Sequence, residues 1–408
     1  MENIKLITGG VCAARGFKAG GIHCGIRKNR TKKDLALIVS DTMANAAAVY
    51  TTNLVKGAPL TVTRENIADG KAKAVICNSG NANTCNADGI QVARRMCALT
   101  AEAVGCEAGD VVVASTGVIG QRLSTDPIAA ALPALAGSIS YDGGADAAEA
   151  IMTTDTVSKE VAVEFELDGV KCRVGGIAKG SGMIHPNMAT MLVFITTDVS
   201  ISSDMLRLAL SSDIRDSFNM VSVDGDTSTN DMVTVLANGM AGNSEITCAD
   251  SDSFRTFMKA LNTVTVGLCR MIAGDGEGAT KLIECKVTGA RDVQTAKTVA
   301  KSVICSSLLK AAMFGADANW GRVLCAIGYA GADVDVMQVG VSFRSNKGEI
   351  VVCENGAGVP FSEEKAKEIL LENEIEVIIT LGNGAGTATA WGCDLTYDYV
   401  KINGDYRT

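Results

Sequence analysis

Residues 179–192 read KGSGMIHPNMATML. Two glycines, a proline and an asparagine make this a loop, and its end at Ala189-Thr190 runs straight into the apolar stretch MLVFITT. Such a junction sets a threonine hydroxyl at the lip of a sheet. Were the Ala189–Thr190 bond to break, Thr190 would become an N-terminus. Its Oγ would be the nucleophile and its own α-amine, of unperturbed pKa about 7.7–8.0, the neighbouring base. Read by itself, the same threonine is only a β-branched residue opening a strand. Residues 180–197 carry no charge, but Gly180, Ser181, Gly182, His185, Pro186 and Asn187 would strand polar groups in lipid. The segment therefore reads as a buried loop leading into a strand, not a membrane span.

Outward from this junction, β-rich apolar runs recur at 35–39, 74–77, 111–113, 161–167, 191–196, 233–236, 339–343, 350–353 and 375–381. Helical periodicity marks 91–104, 204–217, 253–272, 292–313 and 363–373. In the last of these, Glu363, Glu364, Lys365, Lys367 and Glu368 face solvent while Ile369 and Leu370 face inward. The run 161–167 alternates apolar and charged towards its end, which predicts an antiparallel strand with one wet face. Strands outnumber helices and fall in neighbouring pairs, so the expected fold is α/β, a layered sandwich with mixed β-sheets. No linker divides the chain.

Composition narrows the function classes. The 408 residues carry 37 basic and 46 acidic side chains, a net charge of −9, with 47% hydrophobic residues. That excludes a disordered chain and argues against a nucleic-acid binder, because no basic surface would dominate. The start, MENIKLITGG, lacks the pattern of a secretory signal. Fourteen cysteines are scattered without a CxxC, and there are two histidines, His23 and His185, with no HExxH. Reduced core cysteines, a cytoplasmic location and no metal site are the expectation.

Other motifs fail on spacing. Gly382-Asn-Gly-Ala-Gly386 follows the strand-like IEVIITL, but it is GxGxG with only 22 residues to follow, too few for a dinucleotide-binding unit. Gly274-Asp-Gly-Glu-Gly278 places two carboxylates where a phosphate loop needs backbone donors. There is no GxSxG elbow. Asp224, Asp226 and Asp231 of VDGDTSTND lack the calcium-loop glutamate and read as turn and helix-cap chemistry.

KGSGMIHPNMATML resembles the self-cleavage segment of the glutamate N-acetyltransferase family, also called ornithine acetyltransferase or the ArgJ family. The resemblance extends end to end, through ARGFKAGGIHCGIRK, YTTNLVKGAP, VICNSGNANTC, ASTGVIG and IMTTDT. It continues with SVDGDTSTND, GDGEGATK, FGADANWGRVLCAIGYAG and WGCDLTYDYVKINGDYRT. It implies a DmpA/ornithine-acetyltransferase-like fold of the N-terminal-nucleophile type. It also implies cleavage at Ala189–Thr190 into an α chain, residues 1–189, and a β chain, residues 190–408. The two would fold as one intertwined unit and assemble as an α2β2 heterotetramer.

The activity implied is acetyl transfer from N2-acetylornithine to glutamate by ping-pong chemistry through acetyl-Thr190, within arginine biosynthesis. Thr116 and Gly117 would form the oxyanion hole. Thr153, Lys179, Thr190, Glu277, Asn403 and Thr408 would bind substrate, Lys179 suiting a carboxylate and Glu277 an amine. No cofactor is implied. Some family members also accept acetyl-CoA as donor, and the resemblance leaves that open. One departure is Gly404 where alanine is expected, which removes no contacting group; His185 reads as loop structure. Two other classes stand beside this reading. One is an N-terminal-nucleophile amidase or aminopeptidase, in which water accepts the acyl group. The other is a non-enzymatic binding protein, which would have no need of the site residues.

Overall fold

The structure, a computed structural model, describes residues 4–29, 31–185 and 191–405. Among these residues the strands form two mixed sheets. In the first, eight strands run in the order Lys5–Ile7, Lys159–Leu167, Val170–Lys179, Leu192–Thr197, Met232–Ala237, Leu35–Tyr50, Lys71–Asn81 and Val111–Val118. A ninth, Phe17–Ile22, also pairs with Leu35–Tyr50. The second sheet runs Ala357–Gly358, Gly348–Glu354, Gly340–Ser345, Glu374–Thr380, Leu282–Ala290, Gly386–Cys393 and Val221–Ser222. Parallel and antiparallel neighbours occur in both, as expected for layered mixed sheets.

The helices Asp252–Gly274 and Val293–Cys305 pack on the two sheets and join them in one core. Phe257, Leu261, Val264 and Leu268 meet Val193, Ile195, Val233 and Val235 there, together with Val299, Val303, Cys285 and Val287. On the other face of the first sheet, Ile177, Leu192, Phe194 and Met232 share a second core with Ala147, Ala148, Ala150 and Ile151 of the helix Gly144–Ile151. Alternate residues of Leu192–Thr197 thus feed different cores, and all six are buried. Burial on both faces is why this strand reads as a continuous apolar run. It pairs in parallel with Met232–Ala237, and the two lie between Val170–Lys179 and Leu35–Tyr50.

The expected antiparallel strand at 161–167 is present as Lys159–Leu167, with Glu166 exposed. The helix Glu363–Leu370 buries Ala366, Ile369 and Leu370 and exposes its charged residues. The single helical run expected over 292–313 is instead two helices, Val293–Cys305 and Ser307–Phe314. Ser306 ends the first, and its side chain caps the second by accepting the Leu309 N–H. Each helix has its own buried set, Ala296, Val299, Ala300 and Val303 in the first and Leu309, Ala312 and Met313 in the second, so the apolar pattern continues across the break. All fourteen thiols are free; seven are buried, but Cys85, Cys248 and Cys325 are exposed, so core packing does not account for every cysteine. Among the described residues, no helix is long and apolar enough to cross a membrane.

Candidate active site

The ends of several elements converge on one cavity of about 250 Å³. Thr116 and Gly117 come from the end of Val111–Val118, and Lys179 is the last residue of Val170–Lys179. Thr153 follows the helix Gly144–Ile151, Glu277 follows Asp252–Gly274, and Asn403 lies in the helix Tyr397–Gly404. All six line the cavity, with Ile119 and Met183 supplying apolar wall. Ala189, Thr190 and Thr408 lie outside the described residues. Their described neighbours are informative: Gly182 and Met183 line the cavity, and Leu192, two residues after Thr190 in sequence, pairs with Lys179. A wider groove of about 950 Å³, lined by Val157, Val161, Val266 and Met271, contains none of the expected site residues.

Gly117 has φ +132°, and a Cβ there would sit 2.4 Å from the Gly80 carbonyl carbon and 2.5 Å from the Asn81 nitrogen. Only glycine satisfies both conditions, the backbone angle and the approach. Pairing slips at this point, with Gly80 opposite Gly117 and Asn81 opposite both Thr116 and Val118. The Lys179 ammonium donates to Thr116 Oγ1 at 3.4 Å. The threonine hydroxyl therefore keeps its own proton for an acceptor in the cavity.

Opposite charge stands across the same space. Asn403 Nδ2 donates to Glu277 Oε2 at 2.7 Å, tying the C-terminal helix to the carboxylate. A Cβ at Gly182 would sit 2.3 Å from the Glu277 carboxyl carbon, so this glycine makes room for it. Lys179 and Glu277 are both buried. A zwitterion could set its carboxylate against the one and its ammonium against the other.

Beneath the cavity lies a buried ionic network that the sequence did not reveal. Lys159, fully buried, donates to Asp155 Oδ1 at 2.7 Å and to Asp275 Oδ2 at 2.6 Å. Asp155 also accepts the N–H groups of Thr153 and Gly180, while Asp275 accepts those of Thr156 and Val157 and the Thr156 hydroxyl. Ser181 Oγ donates to the Asp275 carbonyl, and the Glu277 N–H to the Ser181 carbonyl. Burial opposes the charge on Asp155, yet Lys159 and Lys179 outweigh it and hold the carboxyl below its usual range. One lysine thus ties together the segments that carry Thr153 and Glu277 and, through Asp155 and the Gly180 N–H, the end of the strand that carries Lys179. Only its strand-like surroundings, VSKEVAV, were readable beforehand.

Asp224 behaves as the turn residue expected, accepting the N–H groups of Met183, Ile184 and Asp226. Asp231 does not. It caps no helix, is 4% exposed, and its Oδ2 has no hydrogen-bond partner among the described residues. Burial pushes its carboxyl well above the usual range, against Ser228 and Lys179. The native state then binds more protons than the unfolded chain, so stability declines as pH rises from about 4 towards the raised value. Asp231→Asn is expected to raise the urea midpoint at neutral pH, with the gain shrinking as pH falls from the raised value towards about 4 and absent below it. Equal midpoints for both proteins across pH 3.5–8 would contradict this. His185 is half-buried against Ser222 Oγ at 3.1 Å and Cys305 Sγ at 3.6 Å. Burial, aided by Lys301, lowers its pKa, in keeping with a neutral loop residue.

Comparison with known proteins fits this arrangement. The ArgJ family profile matches residues 18–408. The arginine biosynthesis bifunctional protein ArgJ of Caldanaerobacter subterraneus subsp. tengcongensis is 50% identical over 406 residues, 99% of this chain and 100% of that one. Its namesake from Symbiobacterium thermophilum is 51% identical over 407 residues, again 99% and 100%. The crystal structure of arginine biosynthesis bifunctional protein ArgJ from Bacillus halodurans is 47% identical, with a TM-score of 0.50. It covers 52% of this chain and 98% of its own.

Proposed function

The chain belongs to the ArgJ family, and from that premise we propose that it moves acetyl from N2-acetylornithine to glutamate in arginine biosynthesis, through an ester on Thr190. The observation that carries this reading is the single cavity in which Lys179, Glu277, Thr116 and Gly117 meet, next to the strand that Thr190 precedes. Thr190 Oγ attacks the acetyl carbonyl, the carbon–nitrogen bond breaks, and ornithine leaves with the proton taken from the hydroxyl. Glutamate, bound between the same two charges, then attacks the ester and leaves as N-acetylglutamate. Each half-reaction passes through an oxyanion that the Thr116 hydroxyl and the Gly117 N–H would stabilise. Thr153 and Asn403 complete the walls, and Thr408 would close the pocket from the C-terminal tail.

The nucleophile arises in this reading by self-cleavage. Thr190 Oγ attacks the Ala189 carbonyl, and water opens the resulting ester, leaving chains of 189 and 219 residues (408 − 189 = 219). In support, the solved Bacillus chain matches only half of this one while using 98% of its own length. Two such pairs would assemble as α2β2 in the cytoplasm. The reading needs no cofactor, since the donor itself supplies the acyl group; acetyl-CoA would serve as a second donor to the same threonine.

Enzyme mixed with N2-acetylornithine and radiolabelled ornithine is expected to move label into the acetylated pool, and labelled glutamate into N-acetylglutamate. Release of acetate without exchange would overturn the transferase in favour of an amidase. Acetyl-CoA and glutamate, with acetylornithine withheld, tests the second donor.

A further inference from the structure

The geometry points to Asn230 as the positioning residue of the Thr116–Gly117 oxyanion donors, an inference that rests on the acetyl-transfer reading above. Asn230 lines the cavity but has nothing left to offer a substrate. Its Nδ2 donates to the Ala82 carbonyl at 2.6 Å and the Ser115 carbonyl at 2.9 Å. Its Oδ1 accepts from Thr229 Oγ1 at 2.6 Å and from Thr84 Oγ1. Two donors and two acceptor positions are the whole capacity of a carboxamide. The side chain is 5% exposed, so each of these bonds is made away from water.

The two carbonyls are the significant partners. Ala82 follows the end of Lys71–Asn81 and Ser115 immediately precedes Thr116, so Asn230 spans the point where pairing between these strands slips around Gly117. The Ala82 N–H donates to the Val118 carbonyl at 2.9 Å, closing the other side of the same irregularity. A slipped strand end has few ladder bonds of its own to fix its peptide planes. The Asn230 amide takes over that task for the peptide leading into Thr116.

Asn230 also sits two residues ahead of Met232–Ala237, the strand that pairs in parallel with Leu192–Thr197, and the Met232 N–H donates to the Met191 carbonyl at 2.9 Å. Through one side chain the oxyanion donors are thereby registered to the segment that follows Thr190. Misplacement of such groups by about 1 Å costs on the order of 10²-fold in rate.

The test is Asn230→Asp in the full chain, with rates expressed per cut Thr190 terminus. The shape is kept, while the donor facing two carbonyls becomes an acceptor. The kcat for transfer from N2-acetylornithine to glutamate is expected to fall about 10–100-fold. Both KM values should stay within about twofold, because Lys179, Glu277 and Thr153 are held by other elements. A kcat within twofold of wild type, or a raised KM at unchanged kcat, overturns the assignment; so does a lowered Tm with kcat per cut terminus intact. Should Asn230→Asp fail to fold or to be cut, Thr84→Val, which removes one of the hydroxyls holding the amide, is expected to lower kcat about threefold or more at constant KM. An unchanged kcat there overturns it equally. Wild-type protein that exchanges no acetyl would instead refute the underlying reading.

Discussion

Thr190→Ala is expected to remain one uncut chain of 408 residues and to exchange no acetyl. In the proposed mechanism, removing the hydroxyl removes the nucleophile of both reactions, and without cleavage the terminal amine that would serve as base never forms. Loss of a hydroxyl nucleophile of this type costs on the order of 10⁶-fold in kcat, below the floor of an exchange assay. Wild-type protein should give two fragments by mass, the larger beginning Thr190-Met-Leu-Val. Thr190→Ser keeps an oxygen on Cβ and is expected to cut and transfer at a reduced rate, which separates loss of the nucleophile from disturbance of the loop. Exchange by Thr190→Ala at more than a hundredth of the wild-type rate would refute the mechanism.

Gly117→Ala is the second large effect, and its cause is visible in the backbone. The added methyl would sit 2.4 Å from the Gly80 carbonyl carbon, at a φ of +132° that residues with a side chain rarely adopt. The strand Val111–Val118 must therefore shift away from Lys71–Asn81 and take the proposed oxyanion donors, Thr116 and Gly117, with it. Losing one such donor costs about 10²–10³ in kcat, and the backbone strain adds about 1–3 kcal/mol of lost stability. The KM for glutamate should change less, since its charged partners stand on other elements. Gly137→Ala is the control: it lies in the helix Asp126–Ser138, where the added methyl meets nothing within 4 Å beyond its chain neighbours and the helix's own backbone, so rate and Tm should stay near wild type. Equal kcat for Gly117→Ala and wild type would remove Gly117 from the mechanism.

How far the molecule was legible in its sequence depended on the range of the interactions. Strands such as Leu192–Thr197 and Glu374–Thr380 stood out because their burial fixes composition locally. The charged face of Glu363–Leu370 was readable for the same reason. The break at Ser306 was hidden, since one serine whose side chain caps the start of a new helix looks locally like any helical serine. The expected site residues that are described do meet in one cavity, but they were located by family resemblance, because nothing in spacing links position 116 to 179 or 277. The residues that hold them in place were beyond reach altogether. Lys159 and Asp275 are 116 positions apart and Asn230 and Ser115 are 115 apart, and each partner reads locally as an ordinary strand or turn residue.

The interleaving of the first sheet would hold the protein together after the proposed cleavage. Leu192–Thr197 and Met232–Ala237 are sandwiched between Val170–Lys179 and Leu35–Tyr50. A cut after residue 189 would therefore leave the central strands of one fragment hydrogen-bonded on both sides to the other. The fragments cannot drift apart by opening a surface; separating them means dismantling the sheet. Each alone would expose unsatisfied strand edges prone to aggregation. The mature enzyme would thus be a kinetically trapped pair, assembled before it was divided, and fragments parted by denaturant should not restore activity on mixing.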